Sequence, residues 1–192
     1  MCQVFRGCSP IIAMSDKRKI ITQHQFNLIN ERLTYQLIEN HDFMNESVII
    51  GLQPRGSLLA NCIVRNLKKI YPSANINAGS LDITFFRDDF RRNDEFLAPK
   101  TTDVNFLVEN KKVIIIDDVL YTGRTVRAGI EAVFSFGRPK KIELLIFIDR
   151  RYNREIPLKP DYTGLEIDTI NSEKVKLNWN NKLTSAEVFI HS

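Results

Sequence analysis

The sequence has few of the residues that build metal sites and disulfide frameworks. It contains only three cysteines, Cys2, Cys8 and Cys62, which form neither a metal-ligand spacing nor an even set for disulfides. The three histidines lie far apart and share no motif, so we expect surface or packing roles for them. This cysteine usage favours a reducing, cytoplasmic location.

Long apolar runs are also lacking. No stretch approaches the roughly 20 apolar residues that span a bilayer, so we predict no membrane partner. The apolar patch at residues 11–13 is too short for a signal-peptide core. Met14 opens a conventional polar start, and we expect translation to begin there. We therefore predict an N-terminal tail over residues 1–20 and a single domain over residues 21–192.

Neither sign of charge is in large excess. The 27 basic and 23 acidic side chains leave a net charge of +4, which suits small anionic ligands and does not by itself indicate nucleic acid. Charged residues make up 26% of the chain and apolar residues 43%, as in ordinary soluble globular proteins.

The chain does contain an alternation of apolar strands and amphipathic helices. We predict helices over residues 22–39, 59–70 and 125–136, and strands over 47–52, 81–85, 112–116, 141–148, 162–167, 174–179 and 186–190. Thr22 and Gln25 predict a capping box, and residues 87–102 a long exposed loop. This order predicts an α/β fold with a mostly parallel sheet, whose ligands bind beyond the carboxyl ends of its strands.

The stretch from Val113 to Thr125 carries the clearest chemistry. Four branched apolar residues predict a buried strand, with the adjacent carboxylates of Asp117 and Asp118 at its end. The small-residue loop Thr122-Gly123-Arg124-Thr125 then leads into a helix. Since a helix start presents unpaired N–H groups and the positive end of the macrodipole, this loop predicts a phosphate site.

The carboxylate pair complements that phosphate site. Asp117 and Asp118 can accept hydrogen bonds from two ribose hydroxyls, directly or through a hard cation such as Mg²⁺. Together, the two features predict a ribose 5-phosphate site. The alternative is a plain strand–turn–helix in which both aspartates cap the helix.

These thirteen residues resemble the donor-binding signature of type I phosphoribosyltransferases. Residues 117–125, Asp-Asp-Val-Leu-Tyr-Thr-Gly-Arg-Thr, are similar to the PyrR family of pyrimidine-operon attenuators, which also act as uracil phosphoribosyltransferases. Other matching segments are Gly79–Thr84, Arg87–Asp89, Gly137–Pro139, Asp149–Arg150 and Ser172–Val175. The resemblance implies the type I phosphoribosyltransferase fold, with a hood made by the 80s loop and the C-terminal strands.

The resemblance further implies transfer of a phosphoribosyl group from phosphoribosyl pyrophosphate (PRPP) to uracil, giving UMP and pyrophosphate, with Mg²⁺. The catalytic residues would be Asp117, Asp118 and Arg87, with the two aspartates holding the ribose hydroxyls or its metal. The donor-binding residues would be Arg55, Gly56, Thr122, Gly123, Arg124 and Thr125.

The pyrophosphate contacts rest on two loops. Arg55 offers a fork of donors and Gly56 permits close backbone approach, although Pro54 stands where the family has threonine. Arg87 opens a charged loop that the resemblance expects to close over the site and exclude water. From the residues alone, the first loop can also be a simple surface turn and the second a solvated loop.

Asp149 and Arg150, at the end of the third buried strand, would lie near the base, and the resemblance implies uracil. Related purine enzymes usually carry an aspartate at the position of Tyr121, which handles a proton on the purine ring. A tyrosine cannot do so near neutral pH, so a purine is disfavoured.

The resemblance also implies RNA binding, for which the first helix is informative. Where RNA-binding members have Thr-Arg-x-x-His, this chain has Glu31-Arg32-x-x-Tyr35, so Arg32 alone is retained and Glu31 would repel phosphate. The alternative function is a UMP-sensing, RNA-binding regulator of pyrimidine genes with weak or no catalysis; a third is transfer to another base. The resemblance implies a homodimer or larger homo-oligomer.

Overall fold

The computed structural model describes residues 17–88 and 101–191. Its elements are β1 (Lys17–Ile21), α1 (Gln23–Asn40), β2 (Ser47–Leu52), α2 (Arg55–Ile70), β3 (Asn77–Leu81), β4 (Lys112–Leu120), α3 (Arg124–Phe134), β5 (Lys141–Arg151), β6 (Tyr162–Asp168), β7 (Lys174–Trp179) and β8 (Ala186–His191). Short 3-10 turns cover Asp42–Met44 and Thr84–Phe86. The expected start at Met14 and the loop over residues 89–100 lie outside the described residues.

Five strands form one parallel sheet in the order β3-β2-β4-β5-β6. The remaining three strands form a smaller antiparallel sheet in the order β1-β8-β7. The mostly parallel sheet with flanking helices confirms the predicted fold class. Strand β1 pairs with β8 from Lys17 onward, ahead of the boundary that the sequence placed after residue 20.

The parallel sheet is covered on both faces. Helices α1 and α2 and the smaller sheet pack on one face, and α3 packs on the other. Phe26 of α1 lies between the two sheets: its ring centroid is 4.6 Å from that of Phe147 on β5 and 5.5 Å from that of Trp179 on β7. Burial of such a side chain contributes about 1.5–3 kcal/mol, so this contact helps to join the sheets.

The first helix begins as predicted. The backbone N–H of Thr22 donates to Gln25 Oε1 at 2.9 Å, and the N–H of Gln25 donates to Thr22 Oγ1 at 3.4 Å. This reciprocal pair confirms the capping box. Within the described residues, no helix is both long and apolar enough to cross a bilayer.

The predicted strand over residues 81–85 is wrong. Strand β3 ends at Leu81, and a 3-10 turn follows at Thr84–Phe86. Asp82 explains the difference, because its Oδ1 accepts hydrogen bonds from Thr84 N at 2.9 Å and from Thr84 Oγ1 at 2.6 Å. Such local side-chain bonds compete with a strand ladder and favour a turn.

Strand β4 is longer than predicted. It runs to Leu120, because its pairing with β5 continues through Asp117 opposite Ile146 and Leu120 opposite Asp149. The expectation that the two carboxylates follow the strand is therefore corrected: they lie inside it. Helix α3 starts one residue before the predicted Thr125 and ends two residues before the predicted Phe136.

Candidate active site

Asp117 and Asp118 form a buried carboxylate pair near the carboxyl end of β4, each only 6% exposed. The N–H of Asp118 donates to Asp117 Oδ1 at 2.9 Å, whereas Asp118 Oδ2 is buried and accepts no hydrogen bond from the described part of the chain. Burial, and then the charge of Asp118, raises the pKa of Asp117 well above its usual range. Burial also raises the pKa of Asp118, against the opposing charge of Arg55. Among the described residues, one oxygen of this buried pair, Asp118 Oδ2, is therefore left for a donor or cation from a ligand.

The first turn of α2 lies directly against this pair. A Cβ atom added to Gly56 would stand 2.3 Å from the carbonyl oxygen of Ile116 and 3.2 Å from Asp117 Oδ1. Only glycine permits this close approach. Arg55, exposed at the first position of α2, is close enough for its charge to act on Asp118. The structure thus places Arg55 and Gly56 next to the two carboxylates, as is required if all four residues bind one ligand.

The turn that leads into α2 is anchored to the end of β3. Gln53 Nε2 donates to Ser80 Oγ at 3.0 Å and to the carbonyl oxygen of Thr101 at 2.8 Å. Its backbone N–H donates to Leu81 O at 2.9 Å, and the Gln53–Pro54 peptide bond is cis. The three hydrogen bonds of Gln53 hold this turn against β3 and Thr101, which argues against the alternative that residues 53–56 form only a surface turn.

The phosphate loop, Thr122–Thr125, follows β4 and includes the first two residues of α3. Gly123 adopts φ of +92° and is the N-cap residue of α3, so the N-cap position supplies no side chain to the helix start. The N–H of Arg124 makes one long bond, at 3.4 Å, to Thr122 Oγ1. Glycine is the residue that takes this left-handed conformation without strain. This helix start leaves N–H groups and the positive end of the helix dipole for an anion. This geometry fits the predicted phosphate site.

The side chain of Arg124 is engaged elsewhere. Its guanidinium lies 2.6 Å from Glu155 Oε2 and 3.9 Å from Asp88 Oδ2. We therefore expect backbone N–H groups of the first turn of α3, rather than the Arg124 guanidinium, to serve the phosphate.

Arg87 lies at the edge of the same region. It is exposed and follows the turn at Thr84–Phe86. Both of its neighbours contact the start of α3: Arg127 Nη2 donates to Phe86 O at 3.4 Å, and Asp88 reaches Arg124. Its contact with pyrophosphate stays a prediction, and residues 89–100 of the predicted loop lie outside the described residues.

The predicted base residues are buried and held by other side chains. The guanidinium of Arg150, 4% exposed, lies 4.1 Å from the ring centroid of Tyr121, and its Nε donates to Thr169 Oγ1 at 2.7 Å. Burial lowers the pKa of Arg150. The carboxylate of Asp149 forms a salt bridge with Arg154. Asp149 and Arg150 therefore lie beside the phosphate loop, but the Asp149 carboxylate is already paired.

Three partners of these residues were not predicted as site residues: Arg154, Glu155 and Thr169. The only local signal for the first two is a charged run directly after a buried strand. Arg32, the predicted RNA residue, lies apart from this site. Its Nη2 donates to the carbonyl oxygens of Thr163, at 3.1 Å, and Gly164 on β6.

The carboxylate pair also fits a divalent cation that arrives with a ligand. The described residues contain no cluster of three or more His, Cys, Asp or Glu side chains that could hold a metal ion alone. Mg²⁺, however, is commonly bound by one or two carboxylates together with phosphate oxygens of a substrate. Asp118 Oδ2, which has no hydrogen-bond partner among the described residues, is suited to such a shared ion.

Comparison with known proteins agrees with this geometry. The phosphoribosyl transferase domain model matches residues 17–181. The Bifunctional protein PyrR of Limosilactobacillus fermentum is 42% identical over 146 residues, which cover 75% of this chain and 80% of that protein. The Bifunctional protein PyrR of Bacillus subtilis is 38% identical over 165 residues, covering 84% and 90%.

Solved structures show the same fold. The hypoxanthine phosphoribosyltransferase of Trypanosoma cruzi superposes with a TM-score of 0.64 at 15% identity, covering 80% of this chain and 82% of that one. The Staphylococcus aureus hypoxanthine phosphoribosyltransferase gives 0.61 at 19% identity, covering 83% of each chain. At these identities the likeness concerns the fold alone.

Proposed function

Because this chain belongs to the phosphoribosyl transferase domain family and, within it, to the PyrR family, we propose that it transfers the phosphoribosyl group of PRPP to uracil. The observation that carries the proposal is the juxtaposition of three features: a buried carboxylate pair with one oxygen unsatisfied among the described residues, a helix start with glycine at its N-cap, and the first turn of α2. They offer places for ribose hydroxyls, a 5-phosphate and a pyrophosphate.

Each group has a chemical role in this reaction. The first turn of α3 binds the 5-phosphate through backbone N–H groups, and Asp117 and Asp118 orient the ribose through its hydroxyls. The sugar becomes cation-like as pyrophosphate leaves, and the two carboxylates lower the energy of that positive charge. Arg55 and Arg87 bind the departing pyrophosphate as its negative charge grows. Mg²⁺, when bound with the donor at Asp117 and Asp118, would supply further neutralisation of that charge.

A pyrimidine acceptor is supported by the surroundings of Tyr121. The residue offers no carboxylate to a purine ring nitrogen, and Arg150 covers its ring. Arg150 and backbone groups of the neighbouring loop are the proposed uracil contacts, whereas Asp149 acts through its bridge to Arg154.

The test is pyrophosphate release from PRPP and Mg²⁺ with uracil, hypoxanthine, guanine or no base. We expect release with uracil alone, accompanied by UMP in equimolar amount. Release with a purine would reassign the acceptor. Absence of release with any base, in a protein that still binds UMP, would move the assignment to the regulator.

That regulator is the second candidate, because the curated relatives are named as bifunctional proteins. The bonds from Arg32 to β6 speak against α1 as its RNA surface. The smaller sheet instead exposes four lysines, Lys17, Lys19, Lys174 and Lys176. A regulator should bind pyrimidine-gene leader RNA more tightly with UMP and more weakly as salt rises.

Assembly and location complete the proposal. We expect a cytoplasmic homodimer or larger homo-oligomer. Leu28 and Tyr35 on α1, 53% and 47% exposed, and Leu165 on the neighbouring β6, 37% exposed, offer an apolar surface for self-association. Light scattering coupled to size-exclusion chromatography measures the mass directly, and a purely monomeric species would contradict this part.

A further inference from the structure

The segment Arg154–Leu158, here termed the bracing segment, follows β5 and lies behind the phosphate loop. Four kinds of contact join the bracing segment to the phosphate loop and to Tyr121, the residue before that loop. Arg154 Nη1 donates to the carbonyl oxygen of Tyr121 at 2.7 Å. The N–H groups of Glu155 and Ile156 donate to the carbonyl oxygen of Thr122 at 3.0 and 3.1 Å. Glu155 pairs with Arg124, and Ile156 and Leu158 back Gly123.

These contacts decide which backbone groups the phosphate loop offers to a ligand. The carbonyl oxygens of Tyr121 and Thr122 are both occupied by donors of the bracing segment. A carbonyl oxygen turned toward a phosphate would repel it, whereas N–H groups attract it. By holding the two carbonyls, the bracing segment leaves the N–H side of the loop for the anion.

Arg154 is the one residue of the bracing segment that also reaches the base side of the site. Its guanidinium bonds the Tyr121 carbonyl through Nη1 and the Asp149 carboxylate through Nη2. Only a planar fork makes both contacts from fixed directions, which a lysine ammonium does not reproduce. Arg150, the chain neighbour of Asp149, meanwhile stacks on the Tyr121 ring. Tyr121 is thus held through its carbonyl by Arg154 and through its ring by Arg150.

We propose that Arg154 is a positioning residue: it couples the end of β5, where the acceptor base binds, to the loop that binds the donor phosphate. This inference rests on the proposed function for the identity of the ligands. It assigns Arg154 no contact with either substrate. Its effect is to keep the phosphate loop in the donor-binding shape and in a constant relation to the base side.

The alternative is a purely structural role, in which Arg154 only neutralises the buried charge of Asp149. Arg154→Lys separates the two roles, because lysine keeps the charge and loses the bridge to Tyr121. Arg154→Met removes both. Arg151→Met is the matched control: it removes an arginine three positions away whose exposed guanidinium pairs with Asp168 and Glu166 on the surface.

Two readouts test the proposal. In the absence of ligand, hydrogen exchange of the peptide that contains residues 121–125 should be faster in Arg154→Lys and Arg154→Met than in the wild type or Arg151→Met. In the enzyme assay, both Arg154 variants should raise the KM for PRPP about 10-fold or more, since small displacements of a binding group are costly. The thermal midpoint should fall in Arg154→Met and recover in Arg154→Lys.

The outcomes separate this inference from the proposed function. If Arg154→Lys restores exchange, KM and thermal midpoint together, Arg154 serves only as a countercharge and the inference is overturned. Unchanged exchange in both variants, with wild-type turnover intact, overturns it as well. If the wild-type protein neither binds PRPP nor releases pyrophosphate, the proposed function fails first, and the role in donor positioning falls with it.

Discussion

The parallel sheet carries a buried carboxylate cluster at each end, and the two clusters are built in opposite ways. At the carboxyl end, Asp117 and Asp118 are neighbours in β4, Asp118 Oδ2 accepts no hydrogen bond from the described residues, and the pKa values of both are raised, first of all by burial. At the amino end, Glu143 is equally buried, at 6% exposure, yet it accepts a hydrogen bond from Tyr162 at 2.9 Å and pairs with Lys141.

His41 completes the amino-end cluster. Its Nε2 lies 2.7 Å from Glu143 Oε2, and its Nδ1 lies 2.8 Å from Ser47 Oγ. Burial acts to raise the pKa of Glu143, but the hydrogen bonds from Lys141 and Tyr162, together with His41, outweigh it and lower that pKa. Burial in turn lowers the pKa of His41. The chain satisfies this cluster by itself.

The difference separates structural from functional burial. A buried carboxylate that its own chain satisfies contributes to the fold, whereas one left short of partners destabilises the free protein and is suited to a ligand. Mutations at the two ends should therefore have opposite effects. At the carboxyl end they should lower activity and leave stability unchanged, and at the amino end they should lower stability and leave activity unchanged.

The largest effect is expected from Asp117→Asn combined with Asp118→Asn. Turnover should fall about 1,000-fold, because the charge that stabilises the reacting sugar is removed. The thermal midpoint should stay the same or rise, because two poorly paired buried charges are removed with it. Pyrophosphate release and calorimetry measure the two quantities. Asp168→Asn, on the exposed surface, is the control, and wild-type turnover in the double variant would refute the assignment.

Glu143→Ala should show the opposite signature. Its removal leaves Lys141, His41 and Tyr162 without their shared acceptor, and we expect a loss of about 3 kcal/mol in the free energy of unfolding by urea. The turnover per folded molecule should be unchanged. Glu46→Ala at the same end removes only an exposed pair with Lys140 and should leave the free energy of unfolding close to that of the wild type. A Glu143 variant that is stable but inactive would contradict a purely structural role for this carboxylate.

Two glycines provide a matched pair of smaller effects. Gly123 at the carboxyl end and Gly137 at the amino end both have positive φ, and a Cβ added to either would meet a side-chain atom at 3.2 or 3.1 Å. Substitution by alanine should cost about 1–2 kcal/mol of unfolding free energy at each position. Only Gly123→Ala should also raise the KM for PRPP, and equal KM values in the two variants would count against the phosphate loop.

The smallest effect is a difference in pH dependence. The folded-state pKa of Glu143 is lowered from 4.5, so its contribution to stability is present above that value and is lost as the pH falls through the folded pKa. Asp117 and Asp118 have raised pKa values, so folding binds protons and stability rises as the pH falls toward 3.8.

Urea unfolding across pH measures both contributions. Relative to the double asparagine variant, the wild type should gain stability between neutral pH and about pH 4. Relative to Glu143→Gln, it should lose its advantage below pH 4.5. Parallel curves in either comparison would mean that the carboxylate concerned is not perturbed as described.

The fold could be predicted wherever the apolar pattern was continuous. Strand β2 and strand β7 have the predicted bounds, and the capping box marks the start of α1. The prediction failed where a single side chain changed the local geometry. The alternation from Leu81 to Phe85 was as regular as in a strand, yet Asp82 binds the backbone of Thr84 and turns the chain.

The site was predictable to the extent that it is local in sequence. The carboxylate pair, the glycine and the helix start lie within nine residues, so the phosphate loop was visible in the primary structure. The partners of Asp149 and Arg124 were not, because charge alone does not say whether an arginine faces a ligand or a carboxylate. The hydrogen-bond partners of Arg32 could not be predicted either, because they lie on β6, more than 130 residues further along the chain.

The sequence by itself determined the α/β class and the family, and it predicted where a donor site would lie, since each rests on apolar runs or on a contiguous motif. The tertiary structure alone decided which buried charges are satisfied. His41, Ser47, Glu143 and Tyr162 meet only because α1, β2, β5 and β6 come together at one end of the sheet. Arg154 meets Tyr121 and Asp149 only because the chain returns behind the phosphate loop after β5. Ion pairs form between groups that folding brings within a few ångströms, and that distance is not encoded in any local pattern.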